Sequence, residues 1–218
     1  MNYKVKYEQW LNSESIDKED REELLSIKDN EKEIDERFYT DLAFGTGGMR
    51  GIRGIGTNRM NKYMIRKATQ GLANYMLKVD ADRARKEGVA IAYDCRIGST
   101  EYALNTALVL AANGIKAYLF ESLRSTPELS FAVRETGALA GVVVTASHNP
   151  VEYNGYKVYW DDGAQIVEPH ADGVVDEVSA IKDLAEIKII SEEEARSKGL
   201  IIDIGAEIDT KYIETIKK

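Results

Sequence analysis

Residues 145–150 read TASHNP and follow AGVVV, an apolar run with the composition of a buried strand. A serine, a histidine and an asparagine side by side where a strand ends form either a polar turn or the setting of a reactive hydroxyl. Ten residues after Ser147 comes Lys157, in VEYNGYKVYW. Far upstream, FGTGGMRGIRGIG at 44–56 interleaves Arg50 and Arg53 with glycines, and Arg59 follows. Six of the twelve residues from Gly45 to Gly56 are glycine, so backbone amides can approach an anion closely while guanidinium groups grip its oxygens in pairs. The competing reading of that stretch is a flexible hairpin with solvated arginines.

Several chemistries can be tested against these residues. A serine attacking acyl groups needs a base within reach and a group that orients the base. His148, being adjacent, is expected to point away, and His170 precedes a helical stretch with no acidic motif around it. There is no G-x-S-x-G elbow, so a serine hydrolase is poorly supported. The glycine stretch fails the dinucleotide pattern G-x-G-x-x-G, because Arg50 or Arg59 stands at the third position. It fails the nucleotide pattern G-x-x-x-x-G-K-[ST] because Thr57 follows Gly56. Phosphoryl transfer asks less of the serine, since positioning and charge neutralisation do most of the work. For a metal, VDADR offers Asp80, Asp82 and Arg83 at the end of a helical stretch, where alternating charges read as solvated surface. DDG at 161–163 reads as a hairpin turn. On the residues alone, Ser147 stays either a turn residue or a phosphoryl acceptor.

The elements that must position these groups follow from hydrophobic periodicity. VAIAY (89–93), IKAYLF (115–120) and ALAGVVV (138–144) read as strands, with helices expected over 62–86, 100–113 and 127–136. Continuous apolar strands alternating with helices mean a mostly parallel sheet covered on both faces. The loops at the carboxyl ends of such strands line the crevice. YDCR, the STP turn at 125–127 and TASHNP all fall there. Beyond them, YKVYW and QIV read as a hairpin turning at Asp162 and Gly163, and 168–182 reads as a helix. KII, EEEARSKG and LIIDIG read as strand, helix and strand. A last helix starts in DTKYIETIKK with Asp209 or Thr210 as cap. Residues 1–37, dense in charge with spaced apolar positions, read as short amphipathic helices lying on a surface.

Composition narrows the function. A charge of -8, from 29 Lys+Arg against 37 Asp+Glu, argues against nucleic acid or an anionic membrane as the main partner. A hydrophobic share of 44% with 30% charged residues is that of a chain that folds around a core. A single cysteine, Cys95, excludes an internal disulfide and a cysteine-based zinc cluster. No stretch approaches the roughly 18 apolar residues that span a bilayer. The first residues lack a signal-peptide core, and the expected location is cytoplasmic.

At this point the motifs carry a resemblance. TASHNP followed by NGYK at 154–157, together with FGTGGMRG at 44–51, resembles the amino-terminal part of the α-D-phosphohexomutases, the phosphoglucomutase and phosphomannomutase family. The similarity covers essentially all of residues 38–218. It implies a three-layer α/β/α sandwich with a mostly parallel mixed sheet, here preceded by an N-terminal helical arm. It further implies that Ser147 carries a phosphoryl group, that this group's oxygen is one ligand of Mg²⁺, and that Lys157 is a general acid or base. Arg50 would lie beside the phosphoserine and His148 would help place the reacting hydroxyl. Thr46, Gly47, Arg59, Arg96 and Asn149 would bind substrate or phosphate. The reaction implied converts hexose 1-phosphate to hexose 6-phosphate through a sugar 1,6-bisphosphate, which also serves as the activating intermediate. The partners implied are a small sugar phosphate and the remaining domains of the same polypeptide.

Two departures from the family pattern shape the expectation. Where the commonest pattern has serine, this chain has Gly47. With GTNRMN at 56–61, that points to the branch of bacterial phosphoglucomutases and phosphopentomutase-like enzymes, so mannose and pentose phosphates stay as alternatives to glucose. The aspartate-rich metal loop and the later sugar contacts of the family are missing. The expected organisation is therefore a helical arm over 1–37, a phosphoserine domain over 38–205 and the start of a truncated second domain over 206–218. The other metal ligands would lie beyond residue 218, and this chain alone would show no mutase turnover. A non-catalytic module that holds sugar phosphates is the competing class.

Overall fold

The computed structural model describes residues 2–217; Met1 and Lys218, at the ends of the expected arm and second domain, lie outside the described residues. In chain order the elements begin with α1 (Tyr3–Asn12), α2 (Lys18–Ser26), α3 (Glu31–Phe38), β1 (Gly48–Ile52), α4 (Lys62–Glu87) and β2 (Val89–Tyr93). They continue with α5 (Ser99–Ala112), β3 (Ala117–Phe120), α6 (Thr126–Thr136), β4 (Ala140–Val144) and β5 (Tyr153–Trp160). The last are α7 (His170–Ala180), α8 (Glu192–Ser197), β6 (Ile201–Ile204) and α9 (Ala206–Ile216).

The strands form a six-stranded sheet in the order β1-β5-β4-β2-β3-β6. β4, β2, β3 and β6 run parallel, whereas β5 is antiparallel to β4 and β1 is antiparallel to β5. Every residue of β2 and of β4 is buried, as continuous apolar strands under two helical layers must be. One core, on the α4 and α5 side, centres on Leu72, Leu110, Ile91 and Val142. A second, on the other face, joins Phe120, Leu129, Val133 and Val143. The fold is thus the α/β sandwich expected, with a mixed sheet.

Some local expectations differ. The segment 188–190 is not a strand; the edge beside β3 is already taken by β6, so KII has no ladder to join. QIV contributes a single bridge, Tyr159 with Gln165, because the chain leaves the sheet after turning at Gly163 (φ 78°). α4 is interrupted at Asp80 (φ -159°, ψ 96°), whose carboxylate accepts the amide hydrogen of Arg83 at 3.0 Å. Asp80 is thereby a cap inside a kinked helix. α9 begins at Ala206 with Gly205 in the cap position, so neither Asp209 nor Thr210 caps it. Asp209 instead accepts two hydrogen bonds from Arg124, both 2.7 Å, and Thr210 bonds back to the Ala206 carbonyl.

The N-terminal helices are built into the core. Phe38 is fully buried and meets Tyr7 and Trp10 edge-on at 5.6 and 5.8 Å, while Trp10 meets Tyr63 of α4 at 5.6 Å. The same helices brace the glycine stretch. The Arg37 carbonyl accepts from the Asn58 amide at 2.9 Å, and the Thr57 hydroxyl donates to the Thr40 carbonyl at 2.6 Å. The Asn61 amide group donates to the carbonyls of Gly54, Gly56 and Arg59, and its oxygen caps α4.

Candidate active site

The three segments expected at the carboxyl edge of the sheet meet there. The Asp94 amide donates to the Val144 carbonyl at 3.1 Å, and the Arg124 amide donates to the Tyr93 carbonyl at 3.1 Å. Within STP the serine is a helix cap, since the Ser125 side chain accepts from the Glu128 amide. TASHNP leaves β4 at this edge. Its Ala146 is buried, and the chain then turns outward so that Ser147 is exposed.

Ser147 adopts φ 56°, in the left-handed region, the only described non-glycine residue with a positive φ. Such a conformation is held only where surrounding bonds over-determine it. Here the Ser147 amide donates to Thr145 Oγ1 at 2.9 Å, and the Asn149 amide donates to the Ala146 carbonyl at 3.1 Å. His148 does not point away as the sequence led us to expect: its Nδ1 lies 3.3 Å from Ser147 Oγ. Among the described residues no carboxylate bonds to the imidazole, so nothing orients it as the base of an acyl-transfer relay.

Two cationic side chains approach from the β1-β5 ribbon. Arg50 Nη1 donates to Asn149 Oδ1 at 2.7 Å, so these two predicted residues are brought together across 99 positions of sequence. Arg50 stands opposite Gly155, and Gly48 opposite Lys157, which places Arg50 and Lys157 on one face of the ribbon. Burial lowers the pKa of Lys157, and the neighbouring Arg50 charge lowers it further. Both effects act in the same direction, because burial and a neighbouring positive charge each disfavour the ammonium form. Because the charged form is disfavoured in the fold, this lysine's contribution to stability rises as pH climbs through its lowered pKa towards the ordinary lysine value. Arg50→Ala is expected to raise the Lys157 midpoint, read by NMR of the lysine side chain; an unchanged or lower midpoint would contradict the pairing.

The NGYK motif is explained residue by residue. The Asn154 amide group donates to the buried Ser99 hydroxyl at 3.0 Å and to the Ile97 carbonyl at 3.2 Å, tying β5 to the loop after β2. A Cβ on Gly155 would lie 2.5 Å from the Thr145 carbonyl oxygen, so only glycine lets β5 pass this close to the serine loop. Tyr156 is fully buried, its hydroxyl 3.0 Å from Thr69 Oγ1. Lys157 is left as the group that faces the site.

The remaining predicted residues fall differently. Thr46 is exposed in a tight turn closed by the Gly45 amide on the Gly48 carbonyl at 2.7 Å. At Gly47 the Gln165 side chain occupies the place of a Cβ, with Nε2 2.1 Å from it. Arg59 is turned to the arm, donating to the Glu36 carbonyl at 3.2 Å, and bonds no described residue of the serine loop. Arg53 has a buried Nε with no partner. The loop carbonyls engage Arg96 so fully that a phosphate contact is not what the structure gives it. No three His, Cys, Asp or Glu side chains converge among the described residues. The described residues therefore do not by themselves form a cage for Mg²⁺. No helix of the described residues is long and apolar enough to cross a membrane.

The architecture and motifs coincide with a known family. The family described as "Phosphoglucomutase/phosphomannomutase, alpha/beta/alpha domain I" matches residues 41–185. The chain belongs to this family. It carries the family's N-terminal α/β/α domain. A phosphoglucomutase of Staphylococcus haemolyticus is 39% identical over 179 residues, which cover 82% of this chain and 32% of that protein. A human phosphopentomutase is 36% identical over 202 residues, covering 89% of this chain and 32% of that protein. A phosphoglucomutase/phosphomannomutase family protein from Burkholderia thailandensis shares the fold, with TM-score 0.57 at 21% identity over 80% of this chain and 35% of that one. The chain thus spans about a third of the length of the curated relatives it matches.

Proposed function

We propose that this chain is the phosphoserine domain of a sugar-phosphate mutase of the phosphoglucomutase type, with Ser147 as the phosphoryl carrier. The observation that carries the reading is an exposed Ser147 at the carboxyl end of β4, held in a left-handed turn whose Asn149 is bonded to Arg50, with Lys157 on the same ribbon face. A hydroxyl on a loop bonded to Arg50, with Lys157 on the face that Arg50 shares and without an oriented imidazole, suits a phosphoryl group and not an acyl group.

In the proposed step a hydroxyl of the bound sugar phosphate attacks the phosphorus on Ser147 in line. The new oxygen–phosphorus bond forms as the bond to Oγ breaks, and Oγ keeps the electron pair. Lys157, whose neutral form is reached at lower pH than in an ordinary lysine, takes the sugar hydroxyl proton and passes it to Oγ. The product is a bisphosphate, and transfer of its other phosphoryl group back to Ser147 leaves the isomerised monophosphate. Arg50 screens the phosphoryl charge, and His148, in contact with Oγ, helps place the hydroxyl. Hexose 1- and 6-phosphates are the proposed substrates, through a 1,6-bisphosphate. Similarity to both a phosphoglucomutase and a phosphopentomutase keeps the pentose reaction as the second reading. Mg²⁺, the remaining domains and a cytoplasmic setting complete the proposal.

Incubation of the chain with glucose 1,6-bisphosphate, followed by intact mass and peptide mapping, tests it. The expected result is one phosphoryl group on Ser147, none in Ser147→Ala, and no net turnover of glucose 1-phosphate by this chain. Phosphoryl uptake at another residue, or none on the native chain, would overturn the assignment of Ser147.

A further inference from the structure

The sequence placed Arg96 among the phosphate-binding residues. Its hydrogen-bond inventory points elsewhere. A guanidinium has five N–H donors. Nη1 donates to the carbonyls of Pro150 at 2.8 Å and Tyr153 at 3.1 Å, and Nη2 to those of Ser147 at 2.8 Å and Asn149 at 2.7 Å. The fifth, on Nε, faces Asp94 Oδ2 at 3.3 Å. Nothing is left for a ligand, and the side chain is 13% exposed.

We infer that Arg96 is the positioning residue of the serine loop: by gathering four carbonyl oxygens of residues 147–153 onto one planar group, it sets the backbone that presents Ser147 Oγ. The inference rests on the reading of Ser147 as phosphoryl carrier. Among the described residues, the Ser147 and Asn149 carbonyls have no donor other than Arg96. The loop's own bonds, Ser147 to Thr145 Oγ1 and Asn149 to Ala146 at one end and Tyr153 to the Pro150 carbonyl at the other, leave the Ser147 and Asn149 carbonyls to Arg96. Without Arg96 the two carbonyls would turn to water, and the left-handed Ser147, unfavourable for a residue with a Cβ, would relax.

Arg96 is itself aimed from behind. The Asp94 carboxylate accepts the Arg96 amide at 3.0 Å and the Ser99 hydroxyl at 2.7 Å, and Ser99 Oγ accepts from Asn154 of β5 at 3.0 Å. A continuous bonded path therefore runs from β5, the strand that bears Lys157, through Asn154, Ser99, Asp94 and Arg96 to the carbonyl of Ser147. The base and the nucleophile are held in register by one polar network that runs from the buried Asn154 and Ser99 out to the exposed serine loop. Lysine cannot replace arginine, because one ammonium cannot span four carbonyls in a plane.

The test compares the native chain with Arg96→Lys and Arg96→Ala. Phosphorylation of Ser147 by glucose 1,6-bisphosphate should slow about 100-fold in both, as expected of a small misplacement of a reacting group. Amide hydrogen exchange should speed up across 147–153 while the β2 and β4 amides stay protected. Low, non-denaturing guanidinium should restore part of the rate in Arg96→Ala, and urea at equal concentration should not. A rate within about twofold of native in Arg96→Lys, or unchanged loop exchange in Arg96→Ala, would overturn the inference. If the native chain takes up no phosphoryl group, the reading of Ser147 fails, and loop exchange alone decides the role of Arg96. If Arg96→Ala loses protection in β2 and β4 as well, the residue is a general structural support and the inference fails.

Discussion

Gly48→Ala is expected to destabilise the chain by about 3 kcal/mol or more, at the upper end of what overpacking and backbone strain produce. Gly48 has φ 147°, where side-chain-bearing residues are strained. A Cβ built there would lie 1.9 Å from the Tyr156 carbonyl oxygen and 2.9 Å from the Lys157 Cα. Both obstacles are backbone, so no rotamer change relieves them. The ribbon must open, and since Gly48 pairs with Lys157 while Arg50 pairs with Gly155, opening it moves both cations of the site. Urea denaturation should show the loss in midpoint, and Arg50 should lose its bond to Asn149. Gly51→Ala is a fitting control, because its nearest obstacle at 2.9 Å is the end of the Leu42 side chain, which can rotate away. Equal stability losses in the two variants would show that the close crossing at Gly48 carries no special weight.

This crossing also shows why part of the site was not legible. The period of the apolar runs gave β2, β3 and β4 and the helices between them, hence the edge on which YDCR, STP and TASHNP fall. β1 left no such trace. GMRGI has glycine at two of five positions, and glycine is normally depleted in strands. Its place in the sheet depends on how near two backbones can come, which is a property of β5 as much as of β1. Arg50 and Lys157 could be named from their motifs, but their shared face could not.

Arg96 and Arg59 illustrate a second limit. An arginine in a polar or glycine-rich loop reads as an anion ligand from sequence, because its partners are unseen. In the fold Arg96 donates to carbonyls 51 to 57 residues away, and Arg59 to the carbonyl of Glu36, 23 residues back, and to that of its neighbour Asn58. Backbone acceptors leave no mark on residue type. The same holds for His148: a neighbour in sequence is expected to diverge from Ser147, but the left-handed turn at Ser147 brings Nδ1 to 3.3 Å.

Phe38→Ala is expected to cost about 3–5 kcal/mol, the range for truncating a buried phenylalanine, in a single cooperative transition. Charge density made the first 37 residues look like helices resting on a surface. Phe38 at the end of α3 is instead the fully buried hub between Tyr7 and Trp10. Trp10 in turn packs on Tyr63 of α4, and Lys62 bonds both Asp17 and Asp20, with its ammonium 2.8 Å from Asp20. The arm also holds the glycine stretch through Arg37 Nη1 on the Ile55 carbonyl, and the turn after it through the Arg37, Glu36 and Thr40 carbonyls. Loosening it should therefore reach β1 and Arg50 as well as the arm itself. Coincident unfolding curves from far-ultraviolet circular dichroism and from tryptophan fluorescence, with Trp10 in the arm and Trp160 in β5, would show that arm and sheet melt together. An early transition seen only by Trp10 would mean the arm is an independent unit, and the brace on the glycine stretch would then count for little.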